Sequence, residues 1–169
     1  MLEKSIILVA DNIRSLENVG SLFRTADAVG VTEILCVGIS GYPDAGALDH
    51  RRPYLRIKQH KALAKTALSG ISVPFRYFPS VSECISYIQS HRLFVLVVEQ
   101  DETAVDLFSE YQIQYPLCVI VGNELTGVSK EFIDIADLIV QIPMHGNGIS
   151  LNVSVSGGIV LYQLSTHRQ

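Results

Sequence analysis

Residues 142–160 read IPMHGNGISLNVSVSGGIV. The stretch opens as the end of an apolar strand-like run, LIVQIP (138–143), and closes as the start of an apolar helix. Between them stand His145, Gly146, Asn147, Gly148, Ser150 and Asn152. A plain strand-to-helix connection needs only about two to six residues with ordinary turn chemistry. This one is loaded with hydrogen-bonding side chains and conformationally free glycines, which suits a loop that wraps something.

The helix that follows, 150–165, carries Leu151, Val153, Val155, Ile159, Val160, Leu161 and Leu164 nearly all round it, so it is expected to be buried on all sides. Ser150, Ser154, Gly157 and Gly158 form a stripe of small residues along it. Two adjacent glycines cost a helix interior about 1–2 kcal/mol in propensity, and a close backbone contact has to offset that. Two contacts qualify: a subunit interface through this helix, or tight packing on the sheet of the same chain.

Working outward, apolar runs recur at 5–10, 33–38, 73–78, 93–98, 117–122 and 138–143. Most are continuous rather than alternating, as expected of strands covered on both faces of a parallel sheet. Helical patterns lie between them at 18–29, about 58–68, 81–90, 129–136 and 150–165. Alternation of the two predicts a doubly wound α/β sheet. In the first helix Asn18 is the expected N-cap and Gly30 the expected stop. Val19, Leu22, Phe23 and Ala26 make its buried stripe, so Arg24 points away from the core, where Asp27 at i+3 could pair with it.

The chain has 169 residues, enough for one domain with a real core. No apolar run reaches the length of a membrane-spanning helix, and the N-terminus reads as a first strand rather than a signal peptide. Cys36, Cys84 and Cys118 are widely spaced and suit buried free thiols in a reducing cytoplasm. No metal-binding spacing, phosphate-binding loop, dinucleotide fingerprint or nucleophile elbow is present. The net charge is −4, yet from His50 to Ser82 there is no acidic residue while Arg51, Arg52, Arg56, Lys58, Lys61, Lys65 and Arg76 fall there. That stretch is either a solvated face or a patch that contacts phosphates. Three loops at strand ends carry the remaining polar chemistry: Asn12 and Arg14 with the helix bearing Asn18 and Arg24, then GNELTG (122–127), then HGNGISLN (145–152). In open α/β sheets ligands bind outside the carboxyl ends of the strands, so the three point to one site.

At these residues the sequence resembles the SpoU (TrmH-type) branch of the SPOUT RNA methyltransferases. NVGSLFRTADAVGV (18–31) is similar to the first family motif, VIVGNELTGVS (119–129) to the second and IPMHGNGISLNVSVSGGIVLY (142–162) to the third. The resemblance implies a single-domain α/β/α parallel-sheet fold over residues 1–169, ending in a deep trefoil knot and carrying no appended RNA-binding domain. It implies a homodimer, which fits the small-residue stripe of the C-terminal helix. It implies S-adenosylmethionine held against Val98, Glu99, Val121, Gly122, Ile142, Met144, Ser150 and Leu151, with Gly146 and Gly148 letting the chain bend around it and Ser150 capping the last helix. The implied reaction is methyl transfer to an RNA ribose 2′-hydroxyl, without metal and without a membrane, in the cytoplasm. Arg24 would be its central residue, gripping a phosphate rather than acting as a base, since arginine keeps its proton. Asn18, Glu124, Ser150 and Asn152 would fix Arg24, the ribose and the loops. Arg14, Arg51, Arg52, Arg56 and Lys58 would grip the RNA. A compact tRNA suits a small dimer better than a buried rRNA loop. Two other readings stay open: a non-catalytic RNA- or nucleotide-binding relative, and a different α/β enzyme that binds a nucleotide at the same sheet edge.

Overall fold

The computed structural model describes residues 4–46 and 49–166. Seven parallel strands form one sheet: β1 (Ile6–Asp11), β2 (Glu33–Val37), β3 (Phe75–Phe78), β4 (Phe94–Val98), β5 (Val105–Asp106), β6 (Leu117–Val121) and β7 (Leu138–Gln141). Their order is β3-β2-β1-β6-β4-β7-β5. Helices α1 (Leu16–Val29), α2 (Pro53–Ala67), α3 (Val81–Ser90), α4 (Lys130–Ile133) and α5 (Val153–Thr166) cover it, with a 3-10 segment at Leu68–Ser72.

The continuous apolar runs of β1 and β6 follow from their central place, where every residue is buried. Because side chains alternate along a strand, Ile6, Leu8 and Ala10 join the core under α1, α2 and α5, while Ile7 and Val9 join a second core under α3 and α4. Strand β6 inserts between β1 and β4, with β7 beyond β4. Chain segments far apart in sequence therefore bring their carboxyl ends side by side. Among the described residues no helix is long and apolar enough to cross a membrane.

Four expectations need correction. The two-residue strand β5 has no run of its own to announce it, and among the described residues it pairs only with β7, at the sheet edge. Helix α2 begins at Pro53 rather than near 58, since proline's fixed φ and missing N–H cost nothing in a first turn. The N-cap of α1 is Ser15, whose side chain accepts from the Asn18 amide, so Asn18 lies one turn inside and its side chain is free for another task. Gly30 does stop α1, in the left-handed conformation with φ 70°.

The fourth correction concerns α5. It starts at Val153, and the carbonyl of Asn152 accepts from Val155 and Ser156 while its Oδ1 accepts from Ser154. Asn152, not Ser150, is the residue that caps it. The paired glycines pack inside the chain, against α1. A Cβ at Gly157 would sit 2.7 Å from Leu22 Cδ2, and one at Gly158 would touch Thr25. The outward side of α5 is instead Val155 and Tyr162, with Leu151 just before the helix, all exposed.

Candidate functional site

Three strand-end loops are tied together through Glu124 and Asn18. The carboxylate accepts from the Arg14 amide at 3.0 Å and the Ser15 amide at 3.2 Å, both in the turn between β1 and α1. It also accepts from Asn18 Nδ2 at 2.8 Å. Asn18 Oδ1 in turn accepts from Asn152 Nδ2 at 3.1 Å. Residues over a hundred positions apart are thus linked in one chain of hydrogen bonds, Glu124 to Asn18 to Asn152, and Asn152 closes it by capping α5. Burial pushes the Glu124 carboxyl up. The hydrogen bonds from Arg14, Asn18 and Ser15 together outweigh that and leave it below the ordinary glutamate value.

Under this link lies a second layer. Asn123 Nδ2 donates to the Asn12 carbonyl at 2.7 Å, and its Oδ1 accepts from the Leu125 and Thr126 amides. Asn12 holds φ 52°, a conformation that asparagine tolerates better than most residues. Asp11, fully buried, accepts from the Ser129 amide at 2.7 Å and from Asn12 Nδ2 at 2.8 Å. Burial raises the Asp11 carboxyl above its usual value, and these hydrogen bonds hold back only part of the rise. Glu99 reaches over from the end of β4: its carboxylate accepts from the Val128 amide at 2.8 Å and from the Gln100 amide at 2.9 Å. Gly127, at φ 72°, is where it lands, and a Cβ there would sit 2.3 Å from Glu99 Oε2.

These loops enclose a cavity of about 500 Å³ and a smaller adjoining one of about 100 Å³. Val98, Glu99, Val121, Gly122, Ser150 and Leu151 line the first, and Ile142 and Met144 line the second. All eight residues expected to hold a cofactor therefore sit on one continuous hollow at the ends of β4, β6 and β7. The donor set suits S-adenosylmethionine: Val98, Val121, Ile142, Met144 and Leu151 offer apolar walls for an adenine and a thioether chain, and Asn123, Glu124 and Ser150 put polar groups at the rim. Glu99 has part of its hydrogen-bonding capacity committed to bracing the 122–128 loop. Gly146 and Gly148 do not need to be glycine: neither has a positive φ, an added Cβ at Gly146 meets nothing within 4 Å and one at Gly148 meets only Met144 Cε at 3.7 Å.

Of the five residues expected around the reaction, Asn18, Glu124 and Asn152 are joined, and Ser150 lines the hollow exposed. None of them makes a hydrogen bond to Arg24. That side chain is exposed and lies outside the lining of the hollow. Asp27, the anticipated partner of Arg24, accepts instead from Ser69 at 2.9 Å.

The expected RNA-gripping residues divide. Arg51 spends all five guanidinium N–H groups within the chain. They go to both Asp49 carboxylate oxygens, to the Tyr42 and Pro43 carbonyls and to Gln59 Oε1. The guanidinium also lies 3.6 Å over the Tyr42 ring. It has no donor left for a phosphate, and Arg51 is withdrawn from that role. Arg56 donates to the Gly46 carbonyl at 2.8 Å and forms an ion pair with Asp44 at 3.1 Å, short of hydrogen-bond alignment. Arg14, Arg52 and Lys58 remain exposed at their side chains. Asp11, Asn12 and Asn123 are the polar residues sequence reading missed as joints. Their signal was position, since each stands at or within two residues of a buried strand end.

A model of the SpoU rRNA Methylase family matches residues 5–162. The tRNA (guanosine(18)-2'-O)-methyltransferase of Aquifex aeolicus is 30% identical over 99% of this chain and 72% of its own length. The enzyme of the same name from Escherichia coli K12 is 27% identical over 99% of this chain. Among solved structures, the SpoU methyltransferase AviRb from Streptomyces viridochromogenes in complex with the cofactor AdoMet has a TM-score of 0.78 at 25% identity, covering 99% of this chain and 59% of its own. This chain spans just under two thirds of the Escherichia coli relative, 66%.

Proposed function

The chain belongs to the SpoU rRNA methylase family, and from that premise we propose that it is an S-adenosylmethionine-dependent RNA 2′-O-ribose methyltransferase, acting on tRNA in preference to rRNA. The observation that carries this reading is the hollow at the ends of β4, β6 and β7, on which all eight anticipated cofactor residues converge. The relatives named for tRNA methylation favour the substrate class.

S-adenosylmethionine supplies an activated methyl group. The chain's own task is to bring a ribose hydroxyl into line with it, and the hydroxyl proton leaves to solvent or to an RNA phosphate. Holding two reactants in line supplies much of the rate in such displacements. In this reading the Glu124–Asn18–Asn152 link keeps the three loops at fixed separation, and Ser150 meets the ribose. The C-terminal segment, threaded as a deep trefoil knot, closes the hollow. A second copy covers the exposed Val155 and Tyr162 of α5. Helix α1 packs on α5 through Leu22 and Thr25, so the second copy sits beside Arg24 as well. We assign Arg24 to an RNA phosphate near the reacting hydroxyl, at the partner's hollow rather than its own, because it does not line its own.

Titration calorimetry tests the cofactor half. Binding of S-adenosylmethionine without added metal, lost in Gly122→Leu, supports the site. No heat at millimolar cofactor would contradict it.

A further inference from the structure

Residues 42–45 and 50–51 and strand β3 leave a second hollow of about 680 Å³, which shares no lining residue with the first. Its walls include Tyr42, Ala45, Arg51, Phe75, Tyr77 and Pro79. The aromatic rings form a column. Tyr42 and Tyr77 stack at 4.3 Å between centroids, Phe75 lies 6.1 Å from Tyr42, and the Arg51 guanidinium caps the other side of Tyr42 at 3.6 Å. Arg51 is held flat by its full set of hydrogen bonds, so it serves as one more planar layer rather than as a mobile cation.

The hollow lies on an open sheet edge. Among the described residues β3 pairs only with β2. The carbonyls of Pro74 and Phe78 face β2, where they accept from Ile34 and Gly38. By alternation along a parallel strand, the backbone groups of Phe75 and Tyr77 face outward at that edge. Tyr42 is buried and covered by Tyr77 and Arg51, so the walls left to a ligand are Phe75, Tyr77 and Pro79. Flat apolar walls with outward backbone donors and acceptors beside them are what an unstacked nucleobase needs: a surface for its ring and partners for its edge. The exposed Arg52, Lys58, Lys61 and Lys65 that follow in sequence favour a polyanion over a peptide, while within the hollow Arg51 and Arg76 are already paired, with Asp49 and Glu33.

We propose that this hollow binds one unpaired base of the RNA substrate, at a subsite separate from the reacting nucleotide. Three to four strand spacings of about 4.8 Å separate β3 from β6 and β4, which puts the two hollows roughly 15–20 Å apart along one rim of the sheet. At about 3.4 Å per stacked nucleotide that is a span of roughly five nucleotides. The base held here would set which hydroxyl along the strand reaches the first hollow.

The inference rests on the RNA reading above, and the test separates the two. The probe is an octauridylate with a single 2-aminopurine at its centre. Uridines stack poorly, so the fluorescent base is the one that reports stacking, and the protein has no tryptophan to interfere. Two variants are compared with the wild type: Tyr77→Leu, which removes a wall, and Ala45→Leu, which narrows the hollow from a partly exposed position without adding an aromatic ring. Calorimetry with S-adenosylmethionine checks that each variant is folded. The expected result is quenching of the probe on binding to the wild type, and affinity roughly tenfold weaker in each variant. The steepness of the salt dependence should not change, because no phosphate contact has been removed. Wild-type affinity and quenching in both variants overturn the subsite and leave the RNA reading standing. Failure of the wild type to bind this probe or any tRNA overturns the RNA reading, and the subsite with it.

Discussion

The strand-end cluster around Glu124 and the basic stretch from Arg51 to Lys65 are both rich in polar side chains, and they use them in opposite ways. In the first, short side chains on buried strand ends bond to one another and to loop backbone across more than a hundred residues of sequence. In the second, long cations sit on a helix with only Leu63 and Ala67 buried, and each finds its own neighbour or none. Arg51 is consumed by its own loop, while Arg52 and Lys58 are exposed. The first region is preorganised, which suits positioning of reactants. The second offers charge without fixed geometry, which suits attraction of a polyanion.

The contrast can be broken most sharply at Arg24, the exposed cation set on the helix that the cluster holds in place. Arg24→Ala should lower methyl transfer by about two to three orders of magnitude, the usual effect of removing one transition-state donor, with S-adenosylmethionine affinity within a few fold. Single-turnover assays beside calorimetry would check this, and unchanged turnover would remove Arg24 from its role. Mixed dimers sharpen the point: Arg24→Ala combined with Gly122→Leu should recover part of the activity that neither has alone.

Glu124→Ala should cost both turnover and stability, since it leaves the Arg14 and Ser15 amides and Asn18 without their acceptor. The loss should depend on pH. The folded-state carboxyl is depressed, so its contribution is complete above the ordinary glutamate range and is lost as pH falls through the folded-state value. Thermal melts of wild type and Glu124→Gln should therefore converge as the solution is acidified and differ at neutral pH. A constant difference would mean that the charge on Glu124 does not matter.

Gly157→Leu tests a different part of the frame. The added side chain meets Leu22 of the same chain, so destabilisation of about 1–3 kcal/mol is expected from overpacking between α1 and α5. Denaturant melts would show it. If instead only the dimer dissociates, the glycine faces a partner.

The smallest effects belong to the basic stretch. Arg52→Glu and Lys58→Glu should weaken tRNA binding a few fold each and flatten its salt dependence, without changing the melting temperature. Arg51→Ala should lower the melting temperature, because it unties Asp49 and uncovers Tyr42.

The sheet was legible because its central strands are buried on both faces, so β1, β4 and β6 announce themselves as unbroken apolar runs. Strand β5 was not, since two residues at an edge carry no pattern. The lining of the first hollow was legible through the motif resemblance, while its bracing was not. Nothing in the local sequence tells that Ser15 rather than Asn18 caps α1, or that Glu99 bonds to the Val128 amide; those partners are chosen by the fold. Arg51 shows the same limit from the other side. Read as a charge it belonged to the RNA patch, and only its five hydrogen-bond partners give it to the loop. The paired glycines were correctly read as a close contact, but which surface they meet depends on helix rotation, and that is set by packing on α1.

The central claim is that the preorganised cluster positions an RNA ribose for methylation. Mass-spectrometric mapping of tRNA and rRNA after incubation with the protein and isotope-labelled S-adenosylmethionine tests it most directly. The account predicts label on the 2′-oxygen of a defined tRNA nucleotide, absent with Arg24→Ala. Label on no ribose of either RNA, or label on a base with Arg24→Ala fully active, would contradict it.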